Sequence, residues 1–254
     1  LESGLMQRAE LLNLLQLDLY GPRKLVSQGV LPPELLHSHP GYLIPCINPG
    51  MAMSSQLVFY AADLVRDRNG ETCVLSDRTQ APSGSGYALE NRIVISRVLP
   101  SLFRDSHTHR LASYFRTVRH TLDRHAPSSD EKEATIVLLS PGPANESYFE
   151  HAYLANYLGY TLVEGSDLVV REERVWLKTL EGLRPVHVIL RRMDDSYCDP
   201  VELREDSYLG VPGLMNAVRA GNVAVANPLG SGILESPALL RYLPELARLL
   251  LGQE

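Results

Sequence analysis

A run of six apolar or β-branched residues, Ala134-Thr135-Ile136-Val137-Leu138-Leu139, constrains the fold more than any other segment. No polar alternation interrupts it, which is typical of a strand buried on both faces. It ends in Ser140-Pro141-Gly142-Pro143, and a helical pattern containing Tyr148 follows. Strands of this kind occur mainly in parallel sheets that helices cover on both sides. The sequence therefore predicts a small α/β domain with a mostly parallel sheet.

The residues after this strand continue the alternation of strands and helices. Short apolar runs predict further strands, and longer periodic stretches predict helices. The predicted strands cover 161–163, 168–170, 175–177, 186–190 and 223–225, and the predicted helices cover 209–219 and 235–251.

The first half of the chain has a different pattern. Residues 5–19 show helical periodicity, and residues 86–98 and 108–124 also favour helices. The Asn69-Gly70 pair lies between two β-rich runs, which is a strong hairpin signal. The polar segment 126–133 contains a proline and resembles a linker. We therefore expect two domains, over residues 1–125 and 134–254.

Composition excludes some classes of function. A net charge of −6 and a pI near 5.8 argue against a nucleic-acid-binding surface. No run approaches the roughly 20 apolar residues that a membrane span needs. Three cysteines without paired spacing favour reduced thiols and a cytoplasmic location. The chain begins without a methionine, so we expect it to be a piece of a longer protein.

Charged residues follow the predicted strand 186–190 directly. Arg191, Arg192, Asp194 and Asp195 come at the carboxyl end of this strand, where ligands bind in open α/β sheets. A surface cluster of ion pairs is an equally good interpretation of the same residues.

Three further segments have both a functional and a structural interpretation. Residues 140–146 lead into a helix N-terminus, which attracts anions, but they lack the glycine spacing of dinucleotide folds. The loop 227–232 offers amides to a phosphate or caps a helix. Glu150-His151 on a helix is more often a packed pair than a catalytic one.

The segment 74–92 is the strongest candidate for a functional site. It begins with apolar residues, which are followed by Ser76-Asp77-Arg78, a Pro-Ser-Gly turn and Glu90-Asn91-Arg92. A strand that delivers carboxylates and arginines to a glycine-rich turn is a common way to build a site for anions and metals. The alternative is a hairpin strand followed by a solvated loop.

These blocks together resemble the circularly permuted ATP-grasp family, type 2, which is related to glutathionylspermidine-synthase-like ligases. The resemblance covers essentially the whole chain. It rests on the segments 4–8, 18–21, 77–84, 86–92, 140–143, 148–151, 162–165, 194–195, 198–200, 210–214 and 226–232.

The resemblance implies a fold and a reaction. Such ligases phosphorylate a carboxylate with ATP and magnesium, and an amine then displaces the phosphate to form an amide. The resemblance implies that residues 1–125 are part of an ATP-grasp catalytic lobe with N-terminal helices. Residues 134–254 would form a Rossmann-like pre-ATP-grasp domain, and the rest of the lobe would lie in further chain. The implied partners are this missing lobe and a small-molecule or peptide carboxylate and amine.

The resemblance also implies roles for particular residues. Asp63 and Asp77 are the expected magnesium ligands. The expected catalytic residues are Arg78, Glu90, Asn91 and Arg92. The expected nucleotide-binding residues are Ser83, Gly84, Asn227, Gly230 and Ser231, and the expected substrate-binding residues are Arg191, Arg192, Asp194, Asp195, Glu150 and His151.

One motif departs from the family pattern. Where the family has Glu-x-Asn, this chain has Ser76-Asp77-Arg78. Arg78 either opposes a cation or contacts phosphate directly. A catalytically degenerate relative that binds a peptide or an amino-acid-like ligand, or that acts as a scaffold, is therefore the alternative to a ligase.

Overall fold

The computed structural model describes residues 1–47, 56–127 and 133–253. It is a mixed α/β structure, as the sequence predicts. The centre of the predicted linker, residues 128–132, lies outside the described residues, so the boundary between the predicted domains stays a prediction. Within the described residues, no helix is long and apolar enough to cross a membrane.

The first half contains six helices and one hairpin among its described residues. Predicted helix 5–19 is confirmed, and the helix predicted over 108–124 begins four residues later than expected. The elements are α1 (Glu2–Tyr20), α2 (Lys24–Ser27), α3 (Pro33–His37), a 3₁₀ turn (Ile44–Cys46), β1 (Ala61–Arg66), β2 (Thr72–Arg78), α4 (Ser85–Val98), α5 (Pro100–Asp105) and α6 (Ala112–His125).

The turn of the predicted hairpin is built by Asp67. Its Oδ1 accepts hydrogen bonds from the backbone N–H groups of Asn69 and Glu71, at 2.8 Å each. Gly70 adopts φ +82°, a conformation that favours glycine. β1 and β2 pair antiparallel on either side of this turn, which confirms the hairpin.

The second half carries the parallel sheet. Its elements are β3 (Ile136–Leu139), α7 (Tyr148–Leu158), β4 (Thr161–Val163), β5 (Leu168–Arg171), β6 (Arg174–Thr179), β7 (Gly182–Val186), β8 (Val188–Arg191), α8 (Leu214–Arg219), β9 (Ala224–Ala226), 3₁₀ segments Ser231–Glu235 and Pro237–Arg241, and α9 (Leu243–Leu251).

Four of these strands form one parallel sheet, in the order β4-β3-β8-β9. Val137 of β3 pairs with Thr161 on one side and with Ile189 on the other, so β3 is an inner strand. All four residues of β3 are buried, as the uninterrupted apolar run predicts. The carboxyl ends of the four strands meet at one edge, where charged residues follow β8.

Other strands and helices differ from the sequence prediction. β5, β6 and β7 form a separate three-stranded antiparallel sheet and do not extend the parallel one. The predicted helix 209–219 begins only at Leu214, because the Asp199 carboxylate accepts hydrogen bonds from the N–H groups of Gly213 and Met215. The predicted helix 235–251 is divided, since Pro244 favours a new helix start.

Two hydrophobic clusters lie on opposite faces of the parallel sheet. Side chains of β3 alternate between them, so Val137 joins the first cluster and Leu138 the second. The first contains Leu15 of α1 and Leu246 of α9, and the second contains Leu122 of α6. Helices from the first half thus cover both faces of a sheet from the second half, and the two halves share their cores.

Candidate functional site

The segment that follows β2 is held by side chains of the second half, the half-buried Glu235 and the buried Asn227. The Glu235 carboxylate accepts hydrogen bonds from the N–H groups of Thr79 (2.6 Å) and Gln80 (2.8 Å). The Asn227 side chain accepts from the N–H groups of Val58 and Phe59, and it donates to the carbonyls of Phe59 and Thr79. These bonds fix the hairpin relative to the parallel sheet.

The glycine-rich turn is fixed by Glu150, a residue on α7 that is fully buried. Its Oε1 accepts hydrogen bonds from the N–H groups of Gly84 (2.8 Å) and Gly86 (2.9 Å). A Cβ atom on Gly86 would lie 2.7 Å from the Cγ of Glu150, so only glycine fits there. Glu150 therefore sets the start of α4, and Ser83 stays exposed beside it.

Arg191 is part of the protein interior. Its residue exposure is 1%, and its guanidinium donates to the carbonyls of Asn227, Met193 and Pro228 and to the Ser231 hydroxyl. Every partner belongs to the fold, so this side chain does not face a substrate in the structure.

Asp195 is also buried, and its carboxylate organises the loop after β9. Its Oδ2 accepts hydrogen bonds from the N–H groups of Gly230 (3.0 Å) and Gly232 (3.1 Å). Burial raises the pKa of Asp195, although these bonds and Arg191 act in the opposite direction. A Cβ on Gly230 would lie 2.4 Å from the Tyr20 ring. The loop predicted to bind nucleotide is therefore occupied by contacts within the protein.

Arg192 points away from Arg191 and lies against the glycine-rich turn. Its Nη2 donates to the Pro82 carbonyl at 2.8 Å and is 3.9 Å from Oε2 of Glu150. Burial lowers the pKa of Arg192, and the neighbouring Glu150 partly offsets this effect. Arg192 Nε and Glu150 Oε2 are both buried without a hydrogen-bond partner in the described structure. This ion pair therefore has unused hydrogen-bonding capacity on both sides.

His151 lies next to this pair. Its Nδ1 is 3.0 Å from the Ser140 hydroxyl, which also accepts a hydrogen bond from the Gly142 N–H. Burial lowers the pKa of His151 to about 4, and Arg192 acts in the same direction. The imidazole is therefore neutral at physiological pH.

A cleft of about 470 Å³ opens at this edge of the parallel sheet. The loops after β3 and β8 form two of its walls, and the segment after β2 closes it. Arg192 and His151 line it, together with two exposed carboxylate residues and two tyrosines. These last four residues are Glu146, Asp194, Tyr197 and Tyr208.

The hairpin presents two different faces. On the outer face, Asp63 is exposed and accepts hydrogen bonds from the Ser76 hydroxyl and from Arg78, whose Nη2 lies at 2.9 Å. The Ser76 hydrogen bond is the main cause of a lowered pKa for Asp63. On the inner face, Asp77 is buried and binds Arg8 through two hydrogen bonds, of 2.6 and 2.7 Å.

The two predicted metal ligands do not come together. Asp63 pairs with Ser76 in the β1–β2 register, whereas Asp77 pairs with Ala62, so their side chains lie on opposite faces. Asp77 also accepts a hydrogen bond from the Tyr60 hydroxyl. No group of three His, Cys, Asp or Glu side chains that could hold a metal occurs in the described residues. These residues alone do not form a magnesium site.

The predicted catalytic residues on α4 are dispersed. The Glu90 carboxylate accepts a hydrogen bond from Tyr153, and burial together with this bond raises the pKa of Tyr153 to about 12. Asn91 is exposed, and Arg92 is half-buried with its Nη1 lacking a partner in the described structure. None of the three lines the cleft described above.

Sequence reasoning missed several residues of this region. Arg8 and Tyr60, which hold Asp77, come from distant parts of the chain and carry no local signal. Glu146, Tyr197 and Tyr208 line the cleft, but only the position of Glu146 after β3 could have pointed to it. Gln80, whose side chain accepts a hydrogen bond from the Asp195 N–H, lies within the motif 77–84, which indicates no role for this side chain.

Comparison with known families agrees with this arrangement. The family model for circularly permuted ATP-grasp type 2 matches residues 1–254. The chain therefore belongs to the circularly permuted ATP-grasp type 2 family, as its motifs predict.

Similar proteins occur in several bacteria, and their names state no activity. Uncharacterized protein Rv2567 of Mycobacterium tuberculosis is 46% identical over 253 residues, which are 100% of this chain and 28% of that protein. Uncharacterized protein sll0335 of Synechocystis is 40% identical over 254 residues, or 53% of its length. Uncharacterized protein ML0605 of Mycobacterium leprae is 39% identical over 97% of this chain and 44% of its own. The chain thus spans between about a quarter and about half of these relatives.

Proposed function

We propose that the protein is an ATP-dependent carboxylate–amine ligase. It transfers a phosphoryl group from ATP to a carboxylate, and an amine then displaces phosphate from the acyl phosphate to form an amide. The observation that carries this proposal is the family match over residues 1–254, which includes both the hairpin and the cleft.

In this proposal the two halves have different tasks. Residues 1–125 are part of an ATP-grasp lobe, and residues 134–254 are a Rossmann-like pre-ATP-grasp domain that holds a substrate in the cleft. The outer face of the hairpin is directed to the nucleotide, with Arg78 as a phosphate contact and Asp63 as a carboxylate beside the metal. The additional length of the relatives carries the remaining nucleotide-binding lobe, and the protein acts in the cytoplasm.

Calorimetric titration of ATP, with and without magnesium, tests the proposal. The chain studied here and a chain of the relatives' length are compared, and we expect magnesium-dependent binding by the longer one. Arg78→Ala weakens this binding about ten-fold, since a charge-assisted phosphate contact is lost, and Asp63→Asn abolishes nucleotide hydrolysis. Arg184→Ala, which removes an exposed arginine on β7, is the matched control. Absence of binding by both chains contradicts the proposal.

A second candidate function is ligand binding without catalysis. The ion pair between Arg78 and Asp63 favours it, because the guanidinium occupies the carboxylate that a metal would need. If Arg78 only blocks the metal, Arg78→Ala strengthens magnesium binding and leaves ATP binding unchanged. The same titrations therefore separate the two candidates.

A further inference from the structure

The cleft at the carboxyl edge of the parallel sheet has one cation in its inner wall. Arg192 lines the cleft, although its side chain is only 3% exposed. Its Nη2 donates to the Pro82 carbonyl and lies 3.9 Å from Oε2 of the buried Glu150, whereas its Nε has no hydrogen-bond partner in the described structure. A buried N–H donor without an acceptor is costly, so this position favours a ligand that brings an acceptor. A carboxylate is the acceptor that matches a guanidinium best.

The outer part of the cleft carries the opposite charge. Glu146 and Asp194 are exposed, and neither forms an ion pair with another described residue. Two carboxylates at the mouth of a cleft attract a cation and repel an anion.

Glu150 is fully buried beside Arg192, and its Oε1 is engaged by the N–H groups of Gly84 and Gly86 while its Oε2 faces the Arg192 guanidinium. The other charged groups near the cleft are compensated as well. Arg204 lies over the Tyr197 ring, 4.2 Å from its centroid, and is paired with Asp206 at 2.7 Å. His151 is neutral at physiological pH and therefore does not repel a cation. The accessible charge thus comes mainly from the two mouth carboxylates, and the unused donor lies deeper.

This order of charges fits a group that carries an ammonium and a carboxylate on the same carbon atom. We propose that the cleft binds the α-amino-acid group of a free amino acid. Its carboxylate faces Arg192, and its ammonium lies between Glu146 and Asp194. The inference rests on the proposed function and makes it more specific, because it assigns to the cleft a substrate that is itself an amino acid.

Three matched probes test the charge requirement. L-Alanine has both charges, L-alaninamide lacks the carboxylate, and N-acetyl-L-alanine lacks the ammonium. NMR titration of the chain studied here gives their affinities. We expect L-alanine to bind about ten-fold more tightly than either derivative, which is the scale of one charge-assisted contact. Equal binding of all three, or of none, overturns the inference.

Substitutions then assign each charge to a residue. Asp194→Asn and Glu146→Gln each weaken the binding of L-alanine and L-alaninamide about three-fold, as expected for exposed charge pairs. The binding of N-acetyl-L-alanine, which has no ammonium, is unchanged or becomes tighter. Glu181→Gln removes an exposed carboxylate outside the cleft and is the matched control. If Glu181→Gln weakens the binding of L-alanine to the same extent, the effect comes from the overall charge of the protein, and the assignment is overturned.

The inner contact needs a variant that keeps the fold. Arg192→Lys retains the charge but loses the planar guanidinium. The binding of L-alanine and N-acetyl-L-alanine therefore weakens about ten-fold, while the binding of L-alaninamide, which has no carboxylate, does not change. An unchanged circular dichroism spectrum and an unchanged affinity for L-alaninamide show that the variant is folded. Equal weakening of all three probes would indicate a merely structural role for Arg192 and overturn the assignment.

The inference and the proposed ligase fail in different ways. Turnover of ATP by a chain of the relatives' length, without preference for L-alanine, overturns the inference and leaves the ligase. Preference for L-alanine without any ATP turnover supports the cleft assignment and contradicts the ligase.

Discussion

The hairpin and the carboxyl edge of the parallel sheet carry similar charged residues but use them differently. On the outer face of the hairpin, Asp63 and Arg78 are exposed and contact each other. At the sheet edge, Arg191 and Asp195 are buried and bind the loops around them. A charged motif after a strand is therefore no guide to function by itself, because the same residue types build a core in one place and a surface in the other.

The sharpest test of this contrast is Arg191→Met. The substitution leaves three buried carbonyls and the Asp195 charge without their partner, so the free energy of unfolding falls by about 3–5 kcal/mol. Urea denaturation measures the loss. Arg184→Met on the exposed side of β7 serves as the control, and a similar loss in both variants would contradict a structural role for Arg191.

The two faces of the hairpin are compared by Asp77→Asn and Asp63→Asn. Loss of the Arg8 ion pair lowers the free energy of unfolding by about 2–3 kcal/mol, because Asp77 is buried. The exposed Asp63 has no such effect, and its variant keeps the wild-type urea midpoint. A larger loss of the free energy of unfolding for Asp63→Asn than for Asp77→Asn would contradict the prediction that the inner face of the hairpin contributes more stability.

His151 makes the sheet edge sensitive to acid. Its pKa is about 4 in the folded protein and near 6.5 in the unfolded chain. A lowered histidine pKa contributes stability that is complete above 6.5 and is lost as the pH falls toward 4, by roughly 3 kcal/mol. Urea midpoints at several pH values should show this loss, and His151→Gln should reduce it. NMR titration of the imidazole above pH 5 would contradict the prediction.

The last comparison, thiol labelling, involves no change in the protein, because it uses the native cysteines. Cys73 on β2 is exposed, whereas Cys198 at the sheet edge is buried and its pKa is raised to about 12 by burial. A thiol reagent should label Cys73 alone in the folded protein, and Cys46 and Cys198 only after unfolding. Rapid labelling of Cys198 would show that the sheet edge opens.

The sequence predicted the elements whose signals are local. The apolar run of β3, the Asn69-Gly70 turn and the periodicity of α1 each depend on neighbouring residues, and all three are confirmed. The separate β5–β7 sheet depends on tertiary packing, so periodicity could not reveal it. The split of the predicted helix had a local signal in Pro244, which the helical periodicity of 235–251 concealed.

The site was harder to predict than the fold. The sequence located the right edge of the sheet but could not tell buried charges from accessible ones. Arg191 and Arg192 are adjacent in the chain, yet one is enclosed by carbonyls and the other lines the cleft. That difference comes from residues more than thirty positions away, such as Asn227, which no local pattern identifies.

The bonds that hold the hairpin also set an order of assembly. The N–H groups of Thr79 and Gln80 find their acceptor on Glu235, some 155 residues later in the chain. During synthesis this stretch leaves the ribosome roughly ten seconds before its partner does. Until then, the segment that follows β2 lacks the carboxylate that holds it. The hairpin is thus made well before the residue that fixes its final position in the fold.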